Sequence, residues 1–183
     1  MSEQKILKAL LFDTRSIQRY IYSGDELRTN IGASYIVDRV FQDILIDGVL
    51  HEMFPNDEFS SGSHWEVERD LDTPWQEMKQ CCVAYIGGGN AMLLFDADGE
   101  DWRLEVVRRF TRRLLFERPG LRVGVALGEL SLDPINQTLD QNKIDALYAE
   151  LKHNQNSVFP AVNVPYTGLT LSCEVRARAE GEE

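Results

Sequence analysis

The chain opens on an apolar run, ILKALLF, broken by a single charge. It reads as a buried strand, Ile6 to Phe12, with Asp13 at its C-terminal edge. Ile17, Tyr20 and Ile21 follow at i, i+3 and i+4, which predicts a short helical turn stopped by Gly24. From Gly32 to Val49 the spacing of Ile36, Val40, Phe41, Ile44, Leu45 and Val49 predicts a longer helix, weakened or ended by Gly48. Ala33 and Ser34 near its start let another backbone approach. Two short apolar runs, Cys81 to Ile86 and Ala91 to Phe95, flank Gly87-Gly88-Gly89-Asn90. Glycine and asparagine accept positive φ, so this is a hairpin signal. A helix follows from about Asp101 to Phe116, with Trp102, Val106, Phe110 and Leu114 in one stripe and Arg118-Pro119-Gly120 ending it. Leu121 to Leu127 reads as another buried strand. The last helix reaches Lys152 from a cap at Asn136 or Thr138, with Ile144, Leu147, Tyr148 and Leu151 inward.

The resulting order is β-α-α-β-β-α-β-α. It predicts an α+β fold, an antiparallel sheet with helices on one face, built around a ferredoxin-like β-α-β-β-α-β unit. One domain spans residues 1–160. Residues 161–183 form a C-terminal extension, ending in RARAEGEE, that reads as partly disordered or as a boundary. Residues 51–79 lose all periodicity and read as an acidic insertion loop, with eight acidic groups against Arg69 and Lys79. Trp65 and Trp75 argue that part of that loop packs on the body.

Composition narrows the function classes. A net charge of −11 makes general binding to DNA unfavourable, since phosphate backbones are held by many Lys and Arg contacts. Nothing approaches ~18 consecutive apolar residues, so no membrane span is expected. The N-terminal residues lack the apolar run of a signal peptide. Three cysteines, Cys81 and Cys82 adjacent, suit neither a disulfide framework nor a structural zinc site. A reducing, cytoplasmic setting is the expectation. Cys81 and Cys82 should point to opposite faces of their strand.

Three features carry candidate chemistry. The glycine hairpin offers bare backbone N–H groups and room for a purine or a phosphate, or is a plain tight turn. Asp13 can hold one divalent metal for a triphosphate, or cap the helix that begins near Ser16. Lys152 can reach a phosphate, or favour the negative end of its helix dipole. His51, His64 and His153 lack metal-ligand spacing. No phosphate-binding P-loop, nucleophilic triad or GxGxxG after the first strand is present.

Together these phrases resemble a known family. Asp13, Ile17-Gln18-Arg19-Tyr20-Ile21, Leu27-Arg28, Gly32-Ala33-Ser34 and Gly87-Gly88-Gly89-Asn90 follow one another as they do in the palm domain of the type III CRISPR large-subunit polymerase/cyclase family. The helix DALYAELK is similar to the Ala-Leu-Tyr-x-Ala-Lys helix of diguanylate cyclases, a related palm. PYTGLTLSC looks like the region where the CRISPR subunits leave the palm. The resemblance covers about residues 6–173, minus the acidic insertion.

The family joins ATP into cyclic oligoadenylates with two divalent metals. Its active palms carry Gly-Gly-Asp-Asp at the hairpin. Here those acidic positions match Gly89 and Asn90, so the hairpin resembles the degenerate palm of a facing pair. The resemblance implies a domain that binds ATP or a related nucleotide with weakly held Mg²⁺ or Mn²⁺, catalytically incomplete by itself and acting in antiviral defence. Gly87, Gly88, Gly89 and Asn90 would face the nucleotide, Ser34 and Lys152 would contact its base or phosphates, and Asp13 would assist one metal. The implied partners are a second palm or a second copy of the chain, and other CRISPR effector subunits. Two other readings stay open: an active nucleotidyl cyclase as a dimer, and a non-catalytic protein-interaction scaffold.

Overall fold

The computed structural model describes residues 5–22, 27–55, 80–133 and 138–157. Gly24, most of the acidic stretch 51–79 and the extension 161–183 lie outside them. The elements run β1 (Lys5–Arg15), α1 (Ile17–Ile21), α2 (Leu27–Val40), a π-helical segment (Phe41–Leu50), α3 (His51–Met53), β2 (Cys81–Gly87), β3 (Asn90–Asp96), α4 (Arg103–Glu117), β4 (Arg122–Asp133), β5 (Thr138–Leu139) and α5 (Gln141–Ser157). The sheet order is β2-β3-β1-β4-β5, and every neighbouring pair is antiparallel. The first four strands thus keep the ferredoxin-like arrangement, and β5 adds a short edge pairing with the end of β4.

The expectation of helices on one face is wrong, and the reason lies in β1. Leu10 and Phe12 join the core built by α2, the π-helical segment and α4. Leu7, Ala9 and Leu11, of the other parity, join a second core with Leu147 and Leu151 of α5. Successive side chains on a strand point to opposite faces, so a run apolar at both parities demands cover on both. Cys81 and Cys82 divide the same way, one into each core.

Elements run longer than their apolar patterns. β1 continues through Asp13 to Arg15, so Asp13 lies inside the strand and not at its end. The helix expected from Gly32 to Val49 begins at Leu27 and passes Gly48 without a break. Its middle adopts the wider π spacing, and Gln42 donates to the Asp47 carboxylate five residues on, at 3.0 Å. Gly48 leaves room there for the guanidinium of Arg113, whose Nη1 would lie 2.8 Å from a Cβ at that position. The last helix starts later than expected, because Thr138 pairs in β5 with Asp133. Asp140 caps it instead, accepting from the Asn142 N–H at 2.9 Å. Asp140→Ala should cost about 1 kcal/mol, read as a lowered denaturation midpoint with an unchanged slope.

α5 lies close on β4. A Cβ on Gly128 would stand 2.9 Å from Leu147 Cδ1, and Gly124 lies four residues earlier on the same face. No helix among the described residues is long and apolar enough to cross a membrane.

Candidate nucleotide site

The hairpin between β2 and β3 is a two-residue turn. Gly88 has φ 59° and Gly89 φ 85°, and Gly87 pairs with Asn90 across it. Positive φ at both central positions is the type I′ geometry that twists with its strands. The two glycines serve differently. Among the described residues, only Tyr85 Oη comes within 4 Å of a notional Cβ on Gly88, at 3.9 Å. At Gly89 a Cβ would meet Thr14 Oγ1 at 2.4 Å and Ile17 Cδ1 at 2.7 Å. The Gly89 carbonyl accepts from both the backbone N–H and the hydroxyl of Thr14, at 2.8 and 2.9 Å. The turn is therefore bound to the point where β1 passes into α1.

That attachment fixes Asp13. It stands opposite Asn90 on β3 and Gly124 on β4. Directly paired residues share a face, here the face on which α5 lies. Asp13 does not cap α1: Ser16 is the residue before that helix, with φ 55° and no side-chain cap. Its Oδ2 accepts a hydrogen bond from Gln155 Nε2 of α5 at 2.7 Å. Tyr148, one helical stripe with Lys152 and Gln155, has its phenol pushed up by burial first, then by Tyr85 and by the Asp13 charge. Tyr85 reaches this face through a register shift after Val83, and a Cβ on Gly87 would be 2.9 Å from its hydroxyl.

The structure thus brings Asp13 together with Gly87, Gly88, Gly89 and Asn90. Lys152 is exposed on α5, on the same side of the sheet. Ser34 is exposed on α2, which packs through Val37 and Val40 on the opposite face. Gln155 and Tyr85 had no place in the sequence reading, and Tyr148 only a packing one. Gln155 lies beyond the last apolar position of α5, Leu151. The pair of glycines four apart on β4 is the signal that points to close seating of a helix there.

Asp13 was also the expected metal ligand. Among the described residues no group of three or more His, Cys, Asp or Glu is placed to hold a metal ion. At Asp13 the donor set is one carboxylate, one of whose oxygens already takes an amide N–H. Divalent cations of the Mg²⁺ kind need several oxygen ligands. These residues do not fit a metal bound by the protein itself.

No protein-family model matches the chain, and no curated protein does. Solved structures do. The crystal structure of Csm1 in T. onnurineus matches with a TM-score of 0.53 at 17% identity, over 82% of this chain and 20% of that one. A Csm1–Csm4 cassette in complex with one ATP matches with a TM-score of 0.53 at 18% identity, over 85% of this chain. The cassette in complex with cA4 matches at 19% identity with the same score and coverage. The chain spans about one fifth of the length of these structures. The likeness is one of fold: the chain is built like part of the type III CRISPR large subunit, as its sequence phrases imply.

Proposed function

We propose that this chain is a palm-type nucleotide-binding domain of the CRISPR polymerase/cyclase kind, catalytically incomplete by itself and acting in antiviral defence. The observation that carries the reading is the register of Asp13 against Asn90 beside the open turn at Gly88. A glycine apex with free space lets a phosphate or a base lie against backbone. Lys152, on the same side, supplies a positive charge to the phosphates. Support also comes from the similar Csm1–Csm4 cassette, solved with one ATP. Mg²⁺ or Mn²⁺ would arrive on the triphosphate and be held chiefly by its phosphates. Condensation needs acidic ligands that Gly89 and Asn90 do not supply, so a second palm would provide them.

A scaffold reading has its own observation. Tyr22, Leu27, Ile31 and Tyr35 are exposed, the last three at four-residue spacing along α2. Calorimetry with ATP and Mg²⁺ separates the two. The nucleotide reading expects saturable binding, weakened about tenfold by Gly88→Ala, whose methyl fills the approach to the turn. A folded protein that gives no heat at millimolar ATP would leave the scaffold.

A further inference from the structure

The disagreement between Asp13 and its expected metal has a structural cause. Gln155 sits where a ligand of that carboxylate would sit. Its amide donates to Asp13 Oδ2 at 2.7 Å, and its side chain rests on Gly124. The seat is specific. A Cβ at position 124 would fall 2.4 Å from Gln155 Nε2, 2.6 Å from Cγ and 2.9 Å from Cδ. Gly124 is also the residue paired with Asp13 across the ladder, so acid, glycine and glutamine form one stack from sheet to helix.

We propose that Gln155 is a built-in occupant of the Asp13 carboxylate that keeps divalent cations off it. An amide NH₂ presents partial positive charge to an acceptor, which is the role a cation would otherwise fill. A cation at Oδ2 would stand against that partly positive NH₂ group and share the oxygen with it, which disfavours the metal. Among the described residues, the other groups on this face add no acid. Asn90 is a neutral amide, Tyr148 is a phenol whose deprotonation is pushed up, and Lys152 on the same stripe is a cation. The wild-type chain therefore takes its nucleotide without a metal bound to Asp13. This deepens the nucleotide reading by assigning Gln155 as the residue that sets metal dependence, but it rests on the stack of Asp13, Gly124 and Gln155 alone.

The seat also defines how a metal site would be gained. Gln155→Glu replaces the donor by a second carboxylate at the same reach. Two facing carboxylates repel each other and are reconciled by a cation. Mn²⁺ binding followed by paramagnetic resonance tests this on the full chain without nucleotide. In the wild type, Asp13→Asn is expected to leave Mn²⁺ binding unchanged. Gln155→Glu is expected to create a site at least tenfold tighter, lost again when Asp13→Asn is added. Gln155→Ala is the second route, should the glutamate variant fold poorly: it uncovers Asp13 and makes weak Mn²⁺ binding depend on that residue. Wild-type Mn²⁺ binding that falls on Asp13→Asn would overturn the proposal. So would a Gln155→Glu protein, folded by circular dichroism, that binds Mn²⁺ no better than wild type. Calorimetry with ATP in EDTA separates this from the broader reading. The expected Mn²⁺ pattern in a chain that ignores ATP would keep the role of Gln155 and remove the nucleotide.

Discussion

Phe110→Ala is expected to remove about 3–5 kcal/mol of stability, about a fifth or more of the ~5–15 kcal/mol that a domain holds. Phe110 is fully buried on α4 and joins the three layers of the larger core. Its ring lies 4.9 Å from that of Phe12 on β1, edge to face, and 5.8 Å from that of Phe41, where α2 passes into the π-helical segment. Truncation loses apolar burial and leaves a cavity between strand and helices that are each held by other contacts, so collapse is partial. Phe116 on the same helix is the control. It is 76% exposed, and Phe116→Ala should change stability by less than about 0.5 kcal/mol. Urea denaturation of the two variants checks the contrast. Similar midpoints for both would mean that α4 does not pack on the sheet through Phe110.

The hairpin glycines should differ as sharply. Gly89→Ala is expected to cost about 2–4 kcal/mol, because it combines a left-handed φ with a methyl driven into Thr14 and Ile17. Thr14 is buried and β-branched, with its hydroxyl committed to the Gly89 carbonyl. It cannot turn aside without losing that bond. Gly88→Ala pays only for its φ, about 1 kcal/mol, since among the described residues its Cβ meets nothing closer than Tyr85 Oη at 3.9 Å. Midpoints measured by circular dichroism decide between this and equal costs. Equal costs would mean the turn is free of β1, and Asp13 would lose its fixed relation to it. The two positions also assign the glycines their parts: Gly89 anchors the turn, and Gly88 forms its less crowded side.

The strands and the hairpin were legible because short apolar runs and glycine turns carry local signals. Cys81 to Ile86 and Ala91 to Phe95 were placed within a residue at each end. The second layer was legible in principle. Ile6 to Phe12 is apolar at both parities, which an open sheet face would not tolerate, yet the expected helices were set on one side. The π-helical segment was not legible. Apolar positions between Phe41 and Leu50 fit a 3.6-residue repeat well enough to read as α, and Gly48 reads as a stop only when the space it leaves for Arg113 is unknown. For the candidate site, the nearness of Asp13 to the glycine turn was legible from strand order and turn chemistry. Gln155 was not, because polar residues past the last apolar position of a helix have no periodic signature. Gly124, on which its side chain rests, lies 31 residues away and meets it only by packing.

The exposed stripe on α2 and the glycine turn lie at different places on the chain, and amide resonances report on them separately. Titration of ¹⁵N-labelled protein with ATP is thus the most direct measurement. Saturable shifts centred on Gly88, Gly89 and Asn90, extending to Thr14 and Lys152, are the predicted result. Shifts confined to Leu27, Ile31 and Tyr35, or a spectrum that ATP leaves unmoved, would contradict the account.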